Sequence, residues 1–343
     1  MRAVVLAGVG DLQVREVPDA KLVDPGDAVV RVTTTAICGA DLFPFHGHTP
    51  GFESGTVLGH EFVGVVEAVG PAVASLRPGD RVVSTSTISC GFCAHCRAGR
   101  PTQCPDRALF GYSGVYKRLD GGQAELVRVP VADRCLRLVP ESIGDESAVF
   151  LADMLPTGYN AVKRADLAIG DVAVVVGCGT VGLMAVLFAQ RIARTVIAID
   201  AIAGRRALAG HFGAQAVTPE DARAAVDAAT AGLGADGVVE AAGSAGALTA
   251  ALTYVRGRGT VSVVGAHFDS DFPLNNALMF EREMTLRVSW GDPFNDRDRL
   301  LAFLETGDLD PTPVISHRFP LAEASEAYRL FDAREATKVL LTP

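Results

Sequence analysis

Residues 172–189 read Val-Ala-Val-Val-Val-Gly-Cys-Gly-Thr-Val-Gly-Leu-Met-Ala-Val-Leu-Phe-Ala. An apolar strand that runs into G-x-G-x-x-G and then into a helix is the pattern of a dinucleotide-binding βαβ unit. Gly177 permits the tight turn, Gly179 lets a pyrophosphate approach the backbone, and Gly182 allows close packing of helix on strand. The stretch therefore predicts a dinucleotide site at the start of this helix.

The next predicted strand, Thr195–Asp200, ends on an acidic residue at about the offset expected for a ribose partner. A carboxylate at Asp200 accepts hydrogen bonds from a ribose 2′-hydroxyl but repels a 2′-phosphate. NAD is therefore predicted in preference to NADP. Arg205 and Arg206 follow closely and could partly offset that repulsion.

The pattern of apolar residues changes along the chain near Asp171. Up to about residue 145, short β-rich runs separated by Gly, Pro and Asp predict a β-rich domain. Beyond Asp171, apolar strands alternate with alanine-rich helical stretches, which predicts a doubly wound parallel sheet. The further strands are predicted at 28–33, 62–69, 81–84, 238–241, 260–264 and 338–341. The fold class is thus α/β, and periodicity alone does not assign the residues after about 291 to either part.

Residues 90–104, CGFCAHCRAGRPTQC, hold four of the seven cysteines. Four thiolates at this spacing predict a closed, structural zinc site, because zinc can order a loop that buries little apolar surface. Disulfides are less favoured, since only three scattered cysteines remain. His95 could compete as a ligand, but four cysteines already complete a tetrahedron. The predicted ligands are Cys90, Cys93, Cys96 and Cys104.

Length and charge restrict the class of protein. The 343 residues predict two domains, and 49% apolar residues support sizeable cores. A net charge of −9, without a run of Lys or Arg, argues against nucleic acid as a partner. Apolar runs shorter than about 18 residues argue against a membrane span, and the N-terminus is interpreted as a strand rather than a signal peptide. Cytoplasmic residence is the resulting expectation.

Two further short motifs in the first part of the chain contain a cysteine and a histidine. Cys38 lies in Ile-Cys-Gly-Ala-Asp, and His60 lies in Gly-His-Glu before an apolar strand. With the cysteine loop and the glycine motif, they resemble the zinc-containing medium-chain alcohol dehydrogenase family over essentially the whole chain. The resemblance extends to residues 79–82 (GDRV), 121–125 (GGQAE) and 157–159 (TGY).

The resemblance implies a GroES-like catalytic domain made of residues 1–150 and 291–343, with a Rossmann domain at residues 151–290 between them. It also implies two zinc ions per subunit, NAD as the redox cofactor, and a homodimer or homotetramer. The substrate would be a small alcohol or carbonyl compound.

The same resemblance assigns the catalytic zinc. Cys38 and His60 match two of its ligands, and Asp153 matches the third, where many members carry cysteine and the secondary-alcohol branch carries aspartate. Glu61 matches a neighbouring glutamate that can bind the metal when water or substrate is displaced. Asp41 matches the carboxylate that orients the histidine ligand.

The cofactor contacts implied by the resemblance come from both parts of the chain. Val181 matches the residue behind the nicotinamide ring, and Arg205 matches a basic contact to the adenosine ribose. Lys338 matches a basic contact to the pyrophosphate, and Thr157 is a further predicted cofactor contact.

The sequence departs from the family where the alcohol proton is usually relayed outward. Ala40 and Phe43 stand where a hydroxyl and, in many members, a histidine are expected, and neither side chain carries a proton. Water, Glu61 or the nearby His46 and His48 could substitute, the proton could come from the substrate, or the reaction could differ from alcohol oxidation.

The leading hypothesis is hydride transfer between NAD(H) and an alcohol or carbonyl. Phe43, Phe45, Phe52, Phe110 and Trp290 could line an apolar pocket suited to a secondary or cyclic alcohol, although aromatic residues are more often core. Conjugate reduction of an enone or iminium is a second hypothesis, motivated by the missing relay. A non-catalytic dinucleotide-binding protein is the third, and the intact ligand set argues against it.

Overall fold

The computed structural model describes residues 1–267, 271 and 274–343, and it divides the chain into two units. The first unit comprises Met1–Asp153 and Asp292–Pro343, and the second comprises Met154–Gly291. Asp153, which the predicted ranges put with the Rossmann domain, thus falls in the first unit. None of the helices in the described ranges is long and apolar enough to cross a membrane.

Strands dominate the first unit. They are β1 (Arg2–Gly8), β2 (Asp11–Glu16), β3 (Ala28–Ile37), β4 (Thr56–Val57), β5 (Phe62–Val69), β6 (Arg81–Ser84), β7 (Thr87–Ile88), β8 (Ala108–Leu109), β9 (Leu126–Val129), β10 (Leu136–Leu138), β17 (Ile315–Pro320) and β18 (Lys338–Thr342). The helices are α1 (Leu42–Phe45), α2 (Ala94–Arg97), α3 (Ala132–Cys135), α4 (Asp145–Ala148), α11 (Arg297–Glu305) and α12 (Ala324–Asp332). Short 3₁₀ helices cover Gly39–Asp41, Pro101–Gln103, Val149–Ala152, Thr312–Val314 and Leu321–Glu323.

The largest sheet of the first unit has the order β10-β6-β5-β3-β18-β17, with β9 also paired to β3. Strand β3 runs antiparallel to β5 and to β18. In this register Thr35 lies opposite Phe62, and Ile37 lies opposite Val339. The residues just outside these positions, Cys38, Glu61 and Lys338, are therefore brought to one end of the sheet.

The second unit is a six-stranded, fully parallel sheet of order β13-β12-β11-β14-β15-β16. Its strands are β11 (Val172–Val176), β12 (Thr195–Ile199), β13 (Gln215–Val217), β14 (Ala235–Glu240), β15 (Val255–Val263) and β16 (Thr285–Val288). Its helices are α5 (Met154–Arg164), α6 (Thr180–Ala189), α7 (Ala203–His211), α8 (Ala222–Thr230), α9 (Ala245–Tyr254) and α10 (Asn276–Glu281). All five residues of β11 are buried, as expected for a central strand covered on both faces. The predicted doubly wound parallel sheet is confirmed.

Candidate active site and nucleotide site

A cluster of mixed ligand atoms lies at the end of the main sheet of the first unit. One ligand atom each from Cys38, His60, Glu61 and Asp153 lies within 4.8 Å of the others. The Cys38 Sγ atom is 3.9 Å from Asp153 Oδ2, and His60 Nε2 is 3.7 Å from the same oxygen. Zinc bonds of about 2.0–2.3 Å place tetrahedral ligands about 3.3–3.8 Å apart. The spacing and the sulfur, nitrogen and oxygen donors fit zinc.

Asp41 supports the histidine of this cluster. Its Oδ1 lies 3.1 Å from His60 Nδ1, and its Oδ2 accepts the backbone N–H of Cys38 at 3.0 Å. Burial acts to lower the pKa of His60, but the Asp41 carboxylate leads the opposing interactions, and the net effect raises that pKa. The Asp41 contact occupies Nδ1 and leaves Nε2 as the nitrogen available to a metal.

Glu61 and Lys338 form a buried ion pair beside the cluster. The Lys338 Nζ atom donates to Glu61 Oε2 and to the carbonyl of Ile37, the latter at 3.2 Å. Glu61 Oε1 is buried and has no hydrogen-bond partner in the described ranges, so it offers a lone pair to a metal. Burial raises the pKa of Glu61 against the opposing effect of Lys338. Burial acts to lower the pKa of Lys338, but the charge of Glu61, the hydrogen bond to it and the nearby Asp153 carboxylate together raise that pKa. The contact of Lys338 with a pyrophosphate stays a prediction.

Burial also shapes the titration of the other two ligands. It raises the pKa of the Cys38 thiol to about 11. For Asp153, burial acts to raise the pKa, but the hydrogen bond and charge of His60 reverse the effect and lower it. Burial therefore disfavours the Cys38 thiolate, and a metal bound at this site would displace the thiol proton.

Two hydrocarbon side chains, Ala40 and Phe43, stand at the positions where the family usually carries its proton relay. The carbonyl of Ala40 accepts a hydrogen bond from the Tyr112 hydroxyl, which anchors the turn after Cys38. The two nearby histidines lie at the surface, where His46 Nε2 is 2.8 Å from Asp332 Oδ1 and His48 is exposed.

The cysteine loop closes on itself. The Sγ atoms are separated by 3.5 Å (Cys90–Cys104), 3.9 Å (Cys93–Cys104) and 4.0 Å (Cys90–Cys96). Zinc–sulfur bonds of about 2.3 Å require sulfurs about 3.8 Å apart in a tetrahedron. Backbone N–H groups reduce the pKa of Cys90 to about 7 against the effect of burial, and burial raises that of Cys104 to about 12. The sulfurs fit a zinc ion without His95, which is exposed.

The three motif glycines of the second unit have different surroundings. Gly177 has φ +90°, and a Cβ there would lie 2.8 Å from Ala242. A Cβ on Gly182 would lie 1.8 Å from the carbonyl oxygen of Gly177. Gly179, just before α6, faces open space. Two glycines thus serve the turn and the packing, and the third keeps the helix start accessible.

The acidic residue after β12 is held firmly. Asp200 is buried, and its two oxygens accept the backbone N–H groups of Cys178 and Ile202, each at 2.8 Å. The Arg205 Nη1 atom lies 3.9 Å from Asp200 Oδ2. Arg206 instead donates to the carbonyl of Asp200 at 2.9 Å. The carboxylate is therefore fixed next to the glycine turn, with one guanidinium at its edge.

The remaining predicted cofactor residues lie on two packed helices of the second unit. Val181 is half-buried in the first turn of α6, and Thr157 is buried on α5. Gly158 allows these helices to approach, because a Cβ there would lie 2.5 Å from that of Met184. Their contacts with a cofactor stay predictions.

Sequence reasoning missed several buried polar side chains. The GGQAE motif contains Gln123 but does not indicate its role, and no motif marks Tyr328, yet both join the hydrogen-bond network of Asp41. In the second unit, buried Glu240 accepts the N–H of Gly243 and lies 3.0 Å from His267 Nε2. The sequence pattern that could have indicated Glu240 is an acidic residue at the end of an apolar strand, here β14.

Comparison with known proteins agrees with this site. Residues 24–141 match the family model for the alcohol dehydrogenase GroES-like domain, and residues 180–306 match that for zinc-binding dehydrogenase. The chain is 38% identical to a probable zinc-binding alcohol dehydrogenase of Mycobacterium tuberculosis, over 99% of this chain and 87% of that protein.

Solved structures are similar over the full length. An alcohol dehydrogenase from Thermus sp. ATN1 superposes with a TM-score of 0.95 and 40% identity, covering 100% of this chain and 99% of the other. A Sinorhizobium meliloti protein of the zinc-binding dehydrogenase type, solved with NADP, has a TM-score of 0.87 and 30% identity, with 100% and 99% covered. These matches agree with the mixed cluster of ligand atoms, the cysteine loop and the glycine turn: the chain belongs to the zinc-dependent medium-chain alcohol dehydrogenase family.

Proposed function

We propose that this member of the family is an NAD-dependent dehydrogenase that interconverts a secondary or cyclic alcohol and its ketone. The observation that carries the proposal is the cluster of Cys38, His60, Glu61 and Asp153, whose ligand atoms converge within 4.8 Å. A second zinc ion would occupy the cysteine loop and order it. An assembly of two or four chains and a cytoplasmic location remain predictions.

The residues of the cluster would hold zinc and control its surroundings. A zinc ion there would supply Lewis acidity, polarising a carbonyl or lowering the pKa of a hydroxyl on the substrate. Asp41 keeps His60 in the tautomer that presents Nε2. Lys338 balances the charge of Glu61, so that the site carries less excess negative charge.

The preference for NAD rests on Asp200. Its carboxylate is fixed by two backbone N–H groups next to the glycine turn, where a 2′-phosphate would meet a negative charge. Asp200→Ser removes that charge, and we expect the ratio of kcat/KM for NAD to that for NADP to fall by about tenfold or more. An unchanged ratio in this variant, or a wild-type enzyme that uses NADP at least as well, would contradict the assignment.

The proton pathway offers a separate test. If water or another group replaces the usual relay, Ala40→Ser should leave activity similar or raise it, because it restores a hydroxyl two residues after Cys38. A collapse of activity in this variant would indicate a pocket built for another reaction.

Conjugate reduction of an enone or iminium is the second candidate, favoured by the carbon side chains of Ala40 and Phe43 where a proton relay is usual. Product analysis separates the two reactions, because carbonyl reduction yields an alcohol and conjugate reduction saturates the carbon–carbon or carbon–nitrogen double bond. If the protein binds a dinucleotide but neither oxidises nor reduces it with any substrate, the result favours the third hypothesis, a non-catalytic dinucleotide-binding protein.

The first experiment is a substrate survey on zinc-replete protein. Nicotinamide absorbance is followed with NAD and with NADP across primary, secondary, cyclic and polyol alcohols, and in reverse with ketones and enones. His60→Ala should lower kcat/KM by more than about 100-fold, because it removes a ligand. His95→Ala, an exposed histidine next to the cysteines, is the matched control and should behave as wild type. Equal activity of the His60 and His95 variants would refute the role of the cluster.

A further inference from the structure

A buried chain of polar contacts leads from His60 away from the proposed zinc site, beginning with the 3.1 Å contact between His60 Nδ1 and Asp41 Oδ1. Asp41 Oδ2, on the carboxylate whose other oxygen faces His60, accepts from Gln123 Nε2 at 3.3 Å. Gln123 Oε1 in turn accepts from the hydroxyl of Tyr328 at 2.8 Å. All four side chains are at most 2% exposed. In such surroundings water does not compete for these bonds, so each group depends on its neighbour in the chain.

The Gln123 side chain is held in one orientation. Its Nε2 also donates to the carbonyl of Ala36 at 3.2 Å, so the amide nitrogen faces Asp41 and the amide oxygen faces Tyr328. Its backbone is fixed as well, because the N–H of Gln123 donates to Leu58 and its carbonyl accepts from Val4.

The residue before His60 packs directly on this amide. Gly59 has φ +96°, and a Cβ there would lie 2.4 Å from Gln123 Cγ. The turn that carries His60 and the side chain of Gln123 are therefore fitted to each other, in addition to their link through Asp41.

We propose that Gln123 and Tyr328 are positioning residues for the zinc ligand His60 and act through Asp41. The proposal rests on the zinc site of the proposed function. With Gln123 and the Cys38 N–H on Oδ2, the Asp41 carboxylate presents Oδ1 to His60 Nδ1. Tyr328 holds the amide so that a donor, rather than its oxygen, faces the carboxylate.

Loss of either bond has a defined consequence. Tyr328→Phe removes only the hydroxyl and leaves Gln123 Oε1 without that donor, so the amide is held from its nitrogen side alone and its bond to Asp41 weakens. Gln123→Met removes the bond to Asp41 at nearly constant length. Both changes loosen the Asp41 carboxylate and thereby His60, without touching a ligand.

The test is the rate of zinc release from the holo-protein to a chromogenic chelator. Asp41→Asn should accelerate release from the catalytic site by about 10- to 100-fold, as for a direct partner of a ligand. Gln123→Met acts one hydrogen bond further out and Tyr328→Phe two, and each should accelerate release by about 3- to 10-fold. The zinc of the cysteine loop should leave at an unchanged rate in every variant.

The matched control is Tyr254→Phe, which removes a hydroxyl from a buried tyrosine of the second unit. It should release zinc as wild type does. In the cobalt-substituted protein, the visible bands of the catalytic site should shift in Tyr328→Phe and not in Tyr254→Phe, a signature that a general loss of stability would not produce.

The zinc-release rates test the positioning role of Gln123 and Tyr328 separately from the proposed catalytic zinc site. If Asp41→Asn accelerates release while Tyr328→Phe and Gln123→Met match wild type, the positioning role is refuted and the zinc site stands. If His60→Ala and Asp41→Asn also release zinc at the wild-type rate, the assignment of the catalytic zinc fails with it.

Discussion

The buried ion pair of Glu61 and Lys338 allows a quantitative test of the structure. Lys338→Met keeps most of the side-chain volume but removes the ammonium, leaving a fully buried carboxylate whose Oε1 already has no hydrogen-bond partner among the residues described. Breaking a buried pair costs about 3–5 kcal/mol of the free energy of unfolding. For a unit of about 200 residues, each kcal/mol lowers the melting temperature by about 2–4 °C, so we expect a loss of about 6–20 °C.

Two companion variants make the result decisive in thermal melts of the zinc-loaded protein. Glu61→Leu combined with Lys338→Met removes both charges and should recover most of the loss. Arg318→Met breaks a surface ion pair in which the side chain of Arg318 is 55% exposed and that of Glu146 is 44% exposed. This change should lower the free energy of unfolding by no more than about 1 kcal/mol. A Lys338→Met loss as small as that of Arg318→Met, or a double variant no more stable than the single one, would refute the reasoning.

Three further predictions concern other parts of the chain. Cys104→Ser should retain about one zinc ion per chain by elemental analysis, and two ions would contradict the loop assignment. Gly179→Ala should weaken dinucleotide binding in titrations while preserving the melting temperature, whereas Gly182→Ala should lower both, because only its Cβ clashes within the protein. Asp27→Asn should destabilise by about 2–3 kcal/mol at pH 7 in denaturant titrations, since Asp27 is buried against Arg128. Burial acts to raise the pKa of Asp27, but its hydrogen bonds outweigh burial and lower that pKa. The difference in free energy of unfolding between wild type and Asp27→Asn should therefore stay constant from pH 8 to 5 and become smaller only below about pH 4. A difference that becomes smaller at higher pH would contradict the pairing.

Strand prediction succeeded where an apolar run ends at turn residues. The predicted strands 62–69, 81–84 and 172–176 coincide with β5, β6 and β11. The predictions 238–241 and 260–264 began too late, since β14 and β15 start at Ala235 and Val255. Glycines interrupt the apolar pattern there: a Cβ on Gly237 would lie 2.7 Å from Leu167, and one on Gly259 would lie 2.5 Å from Val255. Gly237 permits the close approach of the segment between α5 and β11, and Gly259 lies against a residue of its own strand, so neither glycine ends its strand.

Among the residues of the candidate sites, those in short motifs were predicted from the sequence and those that support them through distant contacts were not. The cysteine loop and the glycine turn were predicted from the spacing of their own residues. Cys38, His60 and Asp153 were assigned only through the resemblance to the family, because none of their short motifs is distinctive alone. The supporting contacts were not visible, because Glu61 and Lys338 lie 277 residues apart and Gln123 and Tyr328 lie 205 apart. No local pattern links such positions, and only the register of β3, β5 and β18 brings the first pair together.

The position of β18 between β3 and β17 has a consequence for biosynthesis. Ile37 and Lys338, which share a hydrogen bond, are 301 residues apart. At about 5–20 residues per second, a ribosome takes about 15–60 s to make the intervening chain. During that interval β3 lacks its neighbour on one side and Glu61 lacks its counter-ion, whereas the second unit is a single continuous segment. The nascent first unit therefore exposes an unpaired edge of β3 until β18 has been made.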